Sequence, residues 1–286
     1  MMLQSQSYVL AEGRLAAIEV GNPEAAEISV VFLHGWLDNA ASFQTVMQSL
    51  HHLNTDWHLC AIDLPGHGLS DHKSGHSFYP FHDYIDDIYQ LLANFSSNRL
   101  VLVGHSLGAL ISSCYSAAFP DQVAGLVQIE GFGPLAESPA LSVERLRHGV
   151  MSRQRIRRKP ERGYTSFEQA LERRVAANQV AAELLAPIVE RGIECVDDQW
   201  RWRHDSKLKS ESLYRMSWEH AQAVLEHIRC PQRIILGDQG FHHLKQDRHI
   251  SPNDRLEMFT ISGGHHCHLE QPSLVAELIF GLVNKI

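Results

Sequence analysis

The chain has 286 residues, with 25 Lys and Arg against 33 Asp and Glu, a formal charge of −8, and 44% hydrophobic residues. This length allows about three quarters of the unfolded surface to be buried, so one large domain, or a core with an inserted subdomain, needs no disulfide or metal staple. The acidic balance excludes general nucleic-acid binding, which requires a cationic face, and the composition excludes wholesale disorder.

Two short runs, Tyr8 to Leu10 and Leu15 to Val20, flank Glu12-Gly13 and predict an antiparallel hairpin. Ile28 to Leu33 is a continuous apolar run, as expected of a strand buried on both faces. His58 to Ile62, Leu100 to Val103 and Val123 to Ile129 repeat the pattern. Between the second and third runs, Ile85, Ile88, Leu91 and Leu92 set a helical spacing over Tyr84 to Leu92. Leu107 to Phe119 predicts a further helix, stopped by Pro120. From Leu135 to about Ile228 strand runs give way to helical stretches, including Ser166 to Ala177 and Val180 to Val189. Strand character returns at Arg233 to Leu236 and Leu256 to Ile261, and a helix over Ser273 to Val283 closes the chain. Alternating strands and helices imply an α/β fold with a mostly parallel central sheet covered by helices on both faces. The expected organisation is a core over 1–134, a helical cap insertion over 135–228, and the rest of the core over 229–286.

Met1 to Ser7 is polar and carries no secretory pattern, and no stretch reaches the roughly 20 apolar residues of a membrane span. Cys60, Cys114, Cys195, Cys230 and Cys267 are scattered and never spaced C-x-x-C, so they read as reduced thiols in a cytoplasmic protein. Between Glu144 and Arg174, ten basic residues stand against four acidic ones. Such a run ordinarily solvates a helix face; in segment 145–174 it also raises attraction of an anionic substrate or an acidic partner surface.

Gly104-His105-Ser106-Leu107-Gly108 is a G-x-S-x-G motif lying between a predicted strand and a predicted helix. In that context a sharp turn lifts the serine hydroxyl above the sheet edge, and the helix aims its first amides at developing negative charge. Ser106 is therefore the candidate nucleophile, against the plain alternative of a turn serine. Its base is expected on the loop after the last strand, where Ser262-Gly263-Gly264 precedes His265. His266 and His268 compete, but the tight Gly-Gly turn favours His265. The stretch His266-Cys267-His268 lacks a carboxylate at metal-ligand spacing, so no metal and no organic cofactor is expected. The backbone N–H groups of Trp36 and Leu107 are the candidate oxyanion donors. Asp38 and Asn39 read as residues shaping their loop, and the turn-rich stretch Asp63 to Ser70 as structural support.

LHGWLDN, DLPGHGLSD, GHSLGA and GGHHCHLEQP, in this order, resemble the α/β-hydrolase superfamily over the whole core. LHGWLDNAASF, IEGFGPL, WRWRHDSKLK and CPQRIILGDQG are similar to its serine hydrolase-like proteins. The resemblance implies an acid after the strand that follows the cap, in a G-x-x-D pattern. Here that stretch reads Gly237-Asp238-Gln239-Gly240, with glycine where the acid belongs. Glu130, at the end of the strand beside the nucleophile strand, is the first replacement, as in some haloalkane dehalogenases that this layout resembles. Asp238 is the alternative. These residues imply a serine hydrolase, esterase-like, acting through an acyl-enzyme on a small-molecule carboxylic ester. Carbon–carbon bond hydrolysis, cofactor-free perhydrolysis, and a non-catalytic ligand-binding protein with a vestigial site are the other readings.

Overall fold

The computed structural model describes residues 3–95, 99–159, 163–245 and 254–286. Strands β1 (Gln4–Leu10) and β2 (Gly13–Val20) form the hairpin expected at the start, in register from Gln4 opposite Glu19 to Leu10 opposite Gly13. β3 (Ile28–Leu33), helix α1 (Gln44–Leu53), β4 (His58–Ile62), α2 (Asp83–Leu92), β5 (Arg99–His105), α3 (Leu107–Ala118) and β6 (Gly125–Ile129) follow. After β6 come α4 (Ser142–Arg158), α5 (Phe167–Asn178), α6 (Ala182–Gly192), β7 (Ile193–Val196), β8 (Gln199–Trp202) and α7 (Trp218–Glu226). The chain then adds β9 (Gln232–Gly237), α8 (His242–Lys245), β10 (Leu256–Ile261), α9 (Cys267–Glu270) and α10 (Pro272–Val283).

Among the described residues eight strands form one sheet in the order β1-β2-β4-β3-β5-β6-β9-β10, with β7 and β8 paired separately. From β4 to β10 every pairing is parallel, so the strands of that part end at one common edge. The apolar runs explain why this part is covered on both sides. Successive side chains of a strand point to opposite faces, so Val30, Phe32, Val101, Val103 and Val127 enter one core, with α1 and α10 residues such as Met47 and Ile279. Val31, Leu33, Leu100, Leu102 and Leu126 enter the other, with Ile88 of α2 and Ile111 of α3.

Helix α3 is held tightly to the sheet at its first turn. A Cβ added at Gly108 would stand 1.9 Å from the carbonyl oxygen of Leu33, and the Gly108 amide donates to His34 O at 3.1 Å. Backbone meets backbone here, so no rotamer change makes room. Gly108→Ala is expected to destabilise the fold by about 3 kcal/mol or more, at or beyond the upper end of ordinary overpacking. Urea unfolding of the purified variant measures it.

The segment between β6 and β9 differs from the expectation in one respect. Besides helices it contains the β7–β8 hairpin, turned by Asp197 and Asp198, both at positive φ (51° and 58°). A small apolar centre of Ala170, Val189 and Ile193, with Tyr164, Trp200 and Trp202 against it, holds α5, α6 and the hairpin together. Five of the ten basic residues of the run are engaged within the chain. Arg145 binds Glu137 through two nitrogens, Arg155 pairs with Glu211 at 3.1 Å, and Arg174 pairs with the buried Asp38. Arg153 and Arg157 lie over the ring of Phe78, at 4.5 and 5.1 Å from its centre. Docking of an acidic partner there is therefore not supported. Glu161 and Arg162 of that run lie outside the described residues. Among the described residues no helix is long and apolar enough to cross a membrane.

Candidate active site

Ser106 sits at the joint between β5 and α3 with φ 49° and ψ −113°. A non-glycine residue at such angles costs on the order of 1–3 kcal/mol, a strain that persists only when the surroundings hold it. They do so here. The Ser106 amide donates to Ile129 O at 2.9 Å, and its carbonyl accepts from Ala109 and Leu110 at 3.0 and 3.1 Å. The residue is thereby fixed at the C-terminal edge of the sheet and stays partly exposed. Leu107 opens α3, where first-turn amides have no intrahelical acceptor. The loop after β3 lies against this turn through the Gly108 to His34 bond, which brings Trp36 to the same edge.

Glu130 follows β6 immediately, also at positive φ (50°). Its carboxylate is buried and stands 3.2 Å from His265 Nδ1 through Oε2. The Gly237 amide donates to Oε1 at 2.8 Å and the Phe241 amide to Oε2 at 3.1 Å. Burial alone raises a carboxyl pKa; the hydrogen bonds from His265, Phe241 and Gly237 outweigh it, and the Glu130 pKa is lowered. With Nδ1 facing Glu130, the other ring nitrogen of His265 is left for proton exchange. The ring packs on Phe241 at 4.2 Å between centres.

The glycine that breaks the expected pattern has a physical counterpart. A Cβ at Gly240 would lie 2.1 Å from Glu130 Oε1 and 2.5 Å from Oε2. The Glu130 carboxylate fills the space that a side chain at 240 would enter, so an acid from either strand excludes the other. Asp238 is brought elsewhere: it is exposed, and its Oδ1 accepts from the Gly263 amide at 2.9 Å.

A low folded-state pKa for Glu130 predicts a pH dependence of stability. Its folded pKa lies below the reference value of 4.5, so its ionised form is favoured by folding. The contribution is complete above the unfolded pKa and is lost as pH falls through the folded one. The unfolding free-energy gap between wild type and Glu130→Gln is expected to be larger at pH 7 than at pH 3, read from urea unfolding at both.

Several residues near the site were not singled out by sequence as parts of it. Glu270 accepts from the Gly264 amide at 2.7 Å and so ties down the loop that carries His265; its place in the GGHHCHLE stretch was the available signal. His105, the variable residue of G-x-S-x-G, is buried and lies with Nε2 2.8 Å from His265 O. Asp38 is likewise buried, paired with Arg174 of α5 and 3.2 Å from His266 Nε2. Burial opposes its charge, but His266 and Arg174 hold its pKa well below the ordinary carboxylate value. Asp63 supports the neighbouring loops as expected, accepting from Ala40, Leu69 and Arg191 at 2.7 to 3.0 Å. A cavity opens beside Leu107 and Trp36, walled by Phe81, Leu135, Tyr214 and Met216. Tyr214 and Met216 of the inserted segment thus face this cavity.

Comparison with known proteins bears on the fold and the family. A profile described as the alpha/beta hydrolase fold matches residues 28–183. A serine hydrolase-like protein of Danio rerio is 28% identical over 263 residues, covering 87% of this chain and 79% of its own length. A 2-(acetamidomethylene)succinate hydrolase of Mesorhizobium japonicum is 39% identical over 112 residues, 39% of this chain and 38% of that protein. Among solved structures, a hypothetical protein from Pseudomonas aeruginosa superposes with a TM-score of 0.87 at 27% identity, over 99% of both chains. With a mostly parallel sheet, a strained serine between strand and helix, and a family match over more than half its length, this chain belongs to the α/β-hydrolase family and is a hydrolase of that fold.

Proposed function

We propose that this hydrolase cleaves small-molecule carboxylic esters with Ser106 as nucleophile, His265 as base and Glu130 as the acid that orients it. The observation that carries the reading is the 3.2 Å approach of the buried Glu130 carboxylate to His265 Nδ1, in the space left by Gly240. Glu130 fixes the proton on Nδ1, so Nε2 accepts the Ser106 proton as Oγ attacks the ester carbonyl. The amides of Trp36 and Leu107 receive the oxyanion. On collapse of the tetrahedral intermediate the C–O bond breaks, and His265 returns the proton to the departing alcohol. Water deprotonated by His265 then attacks the acyl-enzyme, and Ser106 is released with the carboxylic acid.

The largely apolar cavity beside Leu107 suits a compact acyl or alcohol group, with Arg215 the one permanent charge among its lining residues. In this reading residues 135–228 form a cap over the core parts 1–134 and 229–286, supported by Trp36 Nε1 donating to Leu208 O at 3.0 Å. Four buried, unpaired thiols accord with a cytoplasmic setting. The test is labelling of the folded protein by a fluorophosphonate probe, with the modified peptide mapped by mass spectrometry. Modification at Ser106, followed by turnover of p-nitrophenyl acetate or butyrate, is expected. Labelling at another serine, or none at all, overturns the assignment.

A further inference from the structure

Behind His265, three donors from separate parts of the chain converge: Asp38 from the loop after β3, His105 at the end of β5, and His266 after β10. All three are buried, and their ligand atoms lie within 4.8 Å of one another. We propose that Asp38 Oδ2, His105 Nδ1 and His266 Nε2 form a site for a transition-metal ion.

The protonation of His105 carries the inference. Its Nε2 is 2.8 Å from His265 O, an oxygen that can only accept, so Nε2 holds the proton. Nδ1 is then a bare lone pair, and it points at Asp38 Oδ2 from 3.7 Å with no hydrogen-bond partner among the described residues. Two electron-rich atoms facing each other in a buried site is a costly arrangement that a cation between them relieves. A ring nitrogen bonded to a backbone carbonyl, with the other nitrogen free, is also the orientation in which histidine ordinarily ligates a metal.

Two of the three donor spacings fit as well. Ligand atoms about 2.1 Å from a tetrahedral ion are about 3.4 Å from one another. Asp38 Oδ2 lies 3.2 Å from His266 Nε2 and 3.7 Å from His105 Nδ1. Arg174 takes the other oxygen of Asp38, Oδ1, and leaves Oδ2 to the imidazoles. Two imidazoles and one carboxylate suit Zn²⁺ or Co²⁺ over Mg²⁺ or Ca²⁺, and a fourth position remains for water.

The experiment titrates Co²⁺ into the full chain after treatment with a chelator and follows the visible absorption of tetrahedral Co²⁺. One equivalent, displaced by Zn²⁺, is expected in the wild type and equally in Ser106→Ala and His265→Gln. His266→Ala and Asp38→Asn are expected to weaken it by at least about 100-fold, since even supporting partners of metal ligands contribute 10- to 100-fold. No such absorption in the wild type overturns the site, as does absorption that survives both ligand substitutions. Loss in His265→Gln also overturns it, by assigning the ion to the hydrolytic histidine. Should the ligand variants fail to fold, melting of the wild type and His265→Gln with Zn²⁺ decides. A rise in Tm of about 5 °C at hundredfold excess over Kd in both supports the site, and its absence overturns it.

Discussion

Replacing Ser106 by alanine is expected to lower kcat for a p-nitrophenyl ester by about a millionfold, with the melting temperature nearly unchanged. The size follows from removing the group that makes the covalent bond; in subtilisin the same loss costs on the order of 10⁶. What remains, about 10³ over water, comes from binding and oxyanion donors alone. Stability is expected to hold because the strained turn is maintained by backbone bonds, the Ser106 amide to Ile129 O and the α3 amides to Ser106 O, none of which uses the hydroxyl. Steady-state kinetics beside a thermal melt separates the two effects. A loss below tenfold in a folded variant would place the nucleophile elsewhere.

The second large effect concerns the acid. Glu130→Gln is expected to lower kcat by about 10⁴, the scale seen when the equivalent aspartate of a serine protease becomes an amide. Here the reason is explicit, because the Glu130 carboxylate faces three groups at once: His265 Nδ1 and the amides of Gly237 and Phe241. A glutamine amide turns an N–H toward at least one of those donors, and the imidazolium of His265 loses the negative charge that stabilises it. Gly240→Asp alone is expected to give little activity, since its Cβ would fall 2.1 Å from Glu130 Oε1. The exchange Glu130→Gly with Gly240→Asp is expected to recover at least about 100-fold over Glu130→Gly alone. Its geometry is favourable on both sides. Position 130 has φ 50°, which glycine adopts without strain, whereas Gly240 lies outside the left-handed region and tolerates aspartate. Restored kcat in the double variant identifies one space served by acids from two strands; no recovery would sink that reading.

Much of the fold was legible because its signals are local. Buried strands such as Ile28–Leu33 declare themselves as apolar runs, and Pro120 marks where α3 must stop. The β7–β8 hairpin was not legible. Its strands have four residues each, with only Ile193 fully buried, and its turn uses Asp197-Asp198 rather than a glycine pair. Neither the period-2 pattern nor the usual turn dipeptides were there to be read. Tyr214 and Met216 mark another boundary: aromatic and thioether side chains look the same in sequence whether they fill a core or wall a cavity.

The sequence by itself determined the α/β class, and it pointed to Ser106 as the candidate nucleophile, because a strand, a glycine-framed serine and a helix are one contiguous piece of chain. With the resemblance to α/β-hydrolases beside it, the sequence also offered Glu130 first and Asp238 second as the acid. Only the tertiary structure decided which carboxylate meets His265, since that depends on Gly240 leaving room for a side chain 110 positions earlier. The cluster of Asp38, His105 and His266 lay beyond the sequence for the same reason. Its donors are spread over 228 positions, with none of the short spacings that announce a metal site, and parallel strands ending at one edge are what bring them together.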